Sequence, residues 1–175
     1  MFATIYFPNF YFQAALRYEP ELRTKPVALI EEQEKKPVII QLNAAAESAG
    51  VRKGMTPSQA LARYLHLIIK VRARIQENSI QQMLLHSAFS LSPYVEETGA
   101  GIATVEFTDN RELDRKVRRV IKQLEKCDLA AQAGIASLPD TSLLAAHLAR
   151  PVLQVGNTSE FLAPLPIETL ALVYD

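Results

Sequence analysis

Apolar residues fall into short blocks along this chain, and the spacing within each block predicts the elements. Ala3 to Phe7 is rich in aromatic and β-branched residues and predicts a strand, broken by Pro8-Asn9. Residues 10–17, FYFQAALR, suit a short helix. VALIE at 27–31 and VIIQL at 38–42 predict two strands, each opening after a proline, where proline is tolerated. The charged EEQEKK at 31–36 predicts a solvated hairpin tip between them. NAAAESAG at 43–50 suits a short helix ended by Gly50, and GVRKGM at 50–55 a turn. Thr56, Pro57 and Gln59 predict a helix start with a capping box, and Ala60, Leu61 and Tyr64 its inward side. HLIIKV at 66–71 reads as another strand.

From Arg74 the period becomes helical, with Ile75, Ser79, Ile80, Met83, Leu84, Ser87 and Ala88 on one stripe. SPYVEETGAGIATVEFT at 92–108 then predicts strand, tight turn, strand. Alternation puts Ala103, Val105 and Phe107 on one face and Ile102, Thr104 and Glu106 on the other. Asp109, with Glu112 three residues on, predicts the cap of a further helix whose buried stripe is Leu113, Val117, Val120, Ile121 and Leu124. AAQAGIA predicts a strand, 140–149 a short helix and PVLQV at 151–155 a last strand. Thr158 or Ser159 would cap a final turn, and PLPIETLALV would begin a further helical element. The sum is an α+β sandwich. Helices 74–90 and 111–126 would cover one sheet face and leave the other open, with a block over 10–73 inserted after the first strand.

Composition narrows the function. A chain of 175 residues that is 49% hydrophobic makes one ordinary domain or two small ones. Its formal net charge of zero argues against a uniformly basic nucleic-acid-binding domain but permits a local patch. The single cysteine, Cys127, rules out an internal disulfide framework and points to a reducing compartment. No apolar run reaches membrane-spanning length and Met1 leads straight into a strand, so no membrane association, no signal peptide and a cytoplasmic location are expected.

Metal-assisted phosphoryl transfer needs clustered carboxylates. The end of the first strand and the turn of the central hairpin carry Phe7, Pro8, Asn9, Gly99, Ala100, Gly101 and Ile102 instead. Glu96 and Glu106 can share a sheet face, but solvated strand carboxylates are the better reading, so no metal and no cofactor are expected. NAAAESAG offers a triphosphate no strong donor, and nothing matches a phosphate-binding glycine loop. His66, His86 and His147 sit at no ligand spacing, and Cys127 has no histidine partner. The basic helix face with Arg115, Arg118, Arg119 and Lys122, and Arg52 and Lys53 in GVRKGM, are the positions for phosphate contact. Phe10, Tyr11 and Phe12 read as buried aromatics.

Several segments together resemble the N-terminal palm and fingers of Y-family translesion DNA polymerases, the DinB/UmuC-like proteins. They are FPNFYFQAALR, PELRTKPVALIE, AAAESAGVRKGMTPSQALARY, LSPYVEE, VEFTD, AQAGIAS and FLAPLPIETL. The resemblance is greatest to the catalytically inactive, ImuB-like branch. It implies a palm from residues 1–9 and about 74–165, fingers over 10–73, and at 166–175 the start of a thumb or linker, the thumb itself and a C-terminal DNA-gripping domain being absent. It aligns Phe7, or in another register Tyr6, with the first metal-binding aspartate and Asn9 with the next acid. Tyr11 and Phe12 match the aromatic pair of the sugar gate, and Ala44 and Glu47 match the tyrosine and arginine that hold the triphosphate. Gly101 and Ile102 match the hairpin acids, and the lysine expected after GIA is lacking near Ala145 and Ala146. The implied function is a non-catalytic scaffold in DNA damage tolerance with weak DNA binding. Its implied partners are a mutagenic replicative polymerase, a RecA-like protein and the sliding clamp. The alternatives are an active DNA polymerase with a rearranged acidic site, or an unrelated small α+β binding module.

Overall fold

The computed structural model describes residues 1–31 and 36–173. Most of the charged tip expected at 31–36 lies outside the described residues. The chain divides into two compact units, one formed by 1–8 with 81–175 and the other by 9–80.

The first unit is built on a five-stranded sheet. Its strands are β1 (Phe2–Tyr6), β5 (Val95–Gly99), β6 (Ile102–Glu106), β7 (Gln132–Ala136) and β8 (Val152–Gln154), in the order β5-β6-β1-β7-β8. β1 is central and pairs antiparallel with both β6 and β7, while β8 joins β7 in parallel. Helix α5 (Leu113–Lys126) packs against β7 and β8 and buries the expected stripe Leu113, Val117, Val120, Ile121 and Leu124. Helix α6 (Pro139–Leu148) packs on β1 and β7. α7 (Thr158–Leu162) and a 3-10 segment, Ile167–Val173, follow.

The second unit holds a three-stranded sheet, β3-β2-β4, from β2 (Val27–Ile30), β3 (Ile39–Leu42) and β4 (Ile68–Val71). One core gathers Phe12, Leu16, Leu22, Val27 and Leu29, the other Ala28, Ile39, Ala46, Val51, Ala60 and Leu67. The alternation of β2 therefore serves both sheet faces. Helices α1 (Phe10–Ala15), α2 (Ala44–Ser48) and α3 (Pro57–Arg63) complete it. The capping box forms as expected: Thr56 accepts from the Gln59 N–H, and the Gln59 side chain accepts from the Thr56 N–H. The division between the units falls within α4 (Arg74–Phe89).

Four expectations need correction. The second face of the five-stranded sheet is open only over β5 and β6, where Glu96, Thr98 and Glu106 are exposed. α6 lies on it, with the Ser142 hydroxyl 2.7 Å from that of Thr4, which in turn contacts Thr104, and both threonines are buried. Gly134 permits this approach, because a Cβ there would stand 2.1 Å from the Ser142 carbonyl oxygen. On α4, Ile75 is 83% exposed and Ser79 is exposed, while Glu77 and Gln81 are buried beside Ile80, Leu84 and Ala88. Ile80, Leu84 and Ala88 are buried as expected, and the inner face also takes in Glu77 and Gln81, two polar residues that find partners there. Asp109 does not cap α5. It accepts from the Arg111 N–H, and Glu112 occupies the N-cap with φ 54°. The cap of α7 is Asn157, which accepts from the N–H groups of Ser159 and Glu160.

Substituting Gly134→Ala should lower stability by about 3 kcal/mol, since the new methyl meets helix backbone that cannot rotate away. Urea unfolding checks this: the midpoint falls while the slope is unchanged.

Candidate functional site

In the five-stranded unit, the end of β1 meets the β5–β6 turn. Tyr6 pairs with Ile102, and the Phe7 N–H donates to the Gly101 carbonyl at 2.8 Å. Phe7 is fully buried. Gly101 takes φ 73°, a left-handed turn conformation that suits glycine. The Gln81 side chain closes the turn, accepting from the Gly101 N–H at 2.8 Å and donating to the Gly99 carbonyl at 3.2 Å. A neutral amide thus satisfies backbone groups at the corner where a metal centre would need negative charge.

The nearby acids stand elsewhere. Glu106 pairs with Phe2 at the opposite end of the sheet, about 13 Å along β6 from Ile102 at the usual strand rise. Glu96 pairs with Thr104, and Glu96, Glu97 and Glu106 are all exposed. Among the described residues no three His, Cys, Asp or Glu side chains converge. Divalent cations need oxygen ligands, so a two-cation centre does not fit a phenyl ring, a glycine and an aliphatic chain.

On the face covered by α6, Tyr6 stacks on His147 with ring centroids 4.1 Å apart. Burial pushes the Tyr6 phenol pKa up and the His147 imidazole pKa down, so both favour their neutral forms. His147 Nε2 is buried without a hydrogen-bond partner. A line of hydroxyls runs inward beside this pair, from exposed Thr98 through Thr104 and Thr4 to Ser142, which donates to the Pro139 carbonyl.

In the other unit, Asn9 precedes α1 with φ 51°. Phe12 is buried in a core and its N–H donates to the Gln41 side chain. Tyr11 lies under the Arg72 guanidinium, 4.0 Å from its ring centroid. Arg72 is also clamped by Glu77 at 2.6 Å and Glu31 at 2.8 Å, and Arg74 reaches Glu31 at 2.6 Å. Hydrogen bonding from Arg74, with the charge of Arg72, holds the Glu31 carboxyl below its usual range, while Glu77 raises the Arg72 pKa further. Ala44 and Glu47 lie exposed on α2. Arg52 donates to the Glu47 and Val51 carbonyls, tying down the end of α2, and Lys53 is exposed. The guanidinium expected to contact phosphate is therefore already engaged by backbone.

On α5, Arg115 pairs with Glu112 at 3.3 Å, and Arg118 pairs with Asp114 at 2.7 Å and reaches the Val152 carbonyl. Arg119, Lys122 and Lys126 are exposed, and no ion pair to them is found among the described residues.

This fold has counterparts. Residues 5–147 match the model of the impB/mucB/samB family. The chain belongs to that family. It is 26% identical over 172 residues to DNA polymerase IV of Pectobacterium atrosepticum, covering 92% of this chain and 48% of that protein. DNA polymerase IV of Shewanella pealeana is 27% identical over 168 residues, covering 90% and 47%. The chain thus spans about half the length of these curated relatives. Among solved structures, DinB from Sulfolobus solfataricus superposes with TM-score 0.81 at 17% identity, covering 96% of this chain and 52% of that one. A post-insertion binary complex of Dbh DNA polymerase gives 0.83 at 18%, with the same coverage. The architecture is that of the palm and fingers region of Y-family polymerases, a palm-like unit carrying an inserted β-rich subdomain. An unrelated binding module is set aside.

Within this impB/mucB/samB chain, the sequence reading missed Gln81, Arg72, Glu77 and the pairing of His147 with Tyr6. Gln81 carries a usable signal, a polar residue between Ile80 and Leu84 on the inner face of a helix. Replacing Arg72 by Met should cost about 3 kcal/mol by leaving Glu77 buried without its cation. Adding Glu77→Gln should recover part of that loss, as a double-mutant cycle in urea would read. The lowered His147 pKa has a defined sign. The unfolded chain takes up the proton more readily, so stability is complete above about pH 6.5 and declines as pH falls through the folded value. His147→Leu should flatten this acid-side decline between about pH 7 and 5, measured as midpoint against pH.

Proposed function

We propose that this chain is a Y-family polymerase-like protein without nucleotidyl-transfer chemistry, akin to the ImuB-like branch, that serves as a scaffold in DNA damage tolerance. One observation carries the reading. At the positions that the resemblance aligns with the metal-binding acids, the strand pairing brings together buried Phe7, Gly101 and half-buried Ile102. A carboxylate at position 7 would be desolvated, and a left-handed turn at 101 is held by Gln81, so both places are occupied by neutral chemistry. In the inserted unit, exposed Glu47 presents negative charge at the position the resemblance aligns with a triphosphate-holding arginine. The partners proposed with this role are DNA and, through the resemblance, a mutagenic replicative polymerase, a RecA-like protein and the sliding clamp, in the cytoplasm. Among the described residues no helix is long and apolar enough to cross a membrane.

The second reading is an active DNA-directed DNA polymerase, favoured by the name DNA polymerase IV carried by the relatives. It requires a rearranged centre drawing on Glu96 and Glu106, which flank Thr104 in the strand register and not the turn. Primer extension with Mg²⁺ or Mn²⁺ and all four deoxynucleotides should yield no product. Template-directed incorporation that disappears in Glu96→Ala or Glu106→Ala would reverse the assignment in favour of the polymerase.

A further inference from the structure

The outer ridge of α5 holds a charge pattern that the fold does not use. At 3.6 residues per turn, Arg115, Arg119, Lys122 and Lys126 fall within an arc of about 60°. That arc points directly away from the buried stripe of Leu113, Val117, Val120, Ile121 and Leu124. The acids of the helix sit off the ridge: Glu112 and Asp114 are paired with Arg115 and Arg118, and Glu125 lies on the flank. Arg119, Lys122 and Lys126 are left exposed on about 10 Å of helix, with no partner among the described residues.

A ridge kept only for solubility would mix signs, with acids three or four residues from each cation. Here Arg119 has Arg115, Lys116 and Lys122 at those spacings and no acid. Repulsion along the ridge is tolerated in a chain whose formal net charge is zero, so the positive charge is local and not a general excess. The favourable effect of cations near a helix C-terminus accounts for Lys126 and, in part, Lys122, but not for Arg119 in mid-helix.

We infer that Arg119, Lys122 and Lys126 form a strip that binds the phosphates of a nucleic-acid backbone. Phosphates recur along a strand at a spacing comparable to that of successive cations on this ridge, and contacts of this kind carry no sequence information. Arg115, Arg118 and Arg52 are excluded from the strip, because their guanidinium groups are held by Glu112, by Asp114 and by the carbonyls at the end of α2. The inference depends on the geometry of α5 alone. It stands whether or not the chain polymerises, and its test contains no nucleotide.

The test is fluorescence anisotropy with a labelled 20-base-pair duplex, titrated at several salt concentrations between 50 and 200 mM, using the whole chain. The variant R119Q/K122Q/K126Q keeps a good helix former at each exposed position. It should bind roughly tenfold or more weakly at low salt, and the slope of log K against log salt should become shallower by about 2.7, three contacts' worth of released counterions. A charge-matched variant of exposed cations in the other unit, K25Q/K36Q/R63Q, should retain the wild-type slope. Glu125→Gln, which removes the flanking acid, should tighten binding and offers a gain that misfolding cannot mimic. Equal losses in the two triple variants, or an unchanged slope in R119Q/K122Q/K126Q, would overturn the strip. Competition by poly-L-glutamate as effective as that by unlabelled duplex at matched charge would overturn the nucleic-acid assignment and give the ridge to an acidic protein.

Discussion

The antiparallel pairing of β1 with β6 decides what this molecule can do at its sheet corner. Side chains alternate with a period of two, so a register slip of one residue would turn every side chain to the other face. The observed register puts Tyr6 opposite Ile102 and hands the Phe7 N–H to Gly101. A metal centre at such a corner is an electrostatically costly object. Its carboxylates repel one another and are desolvated, and only the cations make their proximity favourable. With a phenyl ring, a left-handed glycine and a glutamine amide in those places, the corner needs no counter-charge to be stable.

The same sheet is covered on part of its second face by contacts that are mostly backbone and hydroxyl. Gly134 lets α6 come within reach of β7, and the Thr4–Ser142 and Thr4–Thr104 contacts satisfy polar groups which that approach buries. Tyr6 and His147 then stack at the edge of this layer, each held toward its neutral form by burial. The part of this face under α6 is core, while the part on β5 and β6 keeps Glu96, Thr98 and Glu106 exposed.

What was legible in the sequence follows from locality. The Thr56 capping box needs only residues three apart, and the α5 stripe needs only its period; both appear as read. Gly134 gave a strand but not its consequence, because a glycine's meaning there depends on a helix arriving from elsewhere in the chain. The inner face of α4 was read correctly at Ile80, Leu84 and Ala88 and missed at Glu77 and Gln81 for a related reason. Period analysis assigns polar residues outward, but Glu77 is drawn inward by Arg72, and Gln81 by the Gly99–Gly101 turn. Ile75 was correspondingly placed inside and lies outside. At the candidate site, the absence of acids was readable directly from positions 7, 101 and 102. The residue that satisfies the backbone of that turn, Gln81, was not.

The arginines show how a neutral chain can still be locally selective. Arg72 is enclosed by two carboxylates and a tyrosine ring, so its charge is spent within the inserted unit and serves to fix Tyr11. Arg52 is spent on helix carbonyls, and Arg118 on Asp114. Each looks like a free cation in the sequence, and each is consumed by a partner that only the fold supplies. Counting basic residues therefore overstates the charge available to a polyanion. Among the cations that are not structurally committed, Arg119, Lys122 and Lys126 stand in line on the solvent side of α5, turned away from the core, while Lys25, Lys53 and Arg63 lie exposed in the other unit.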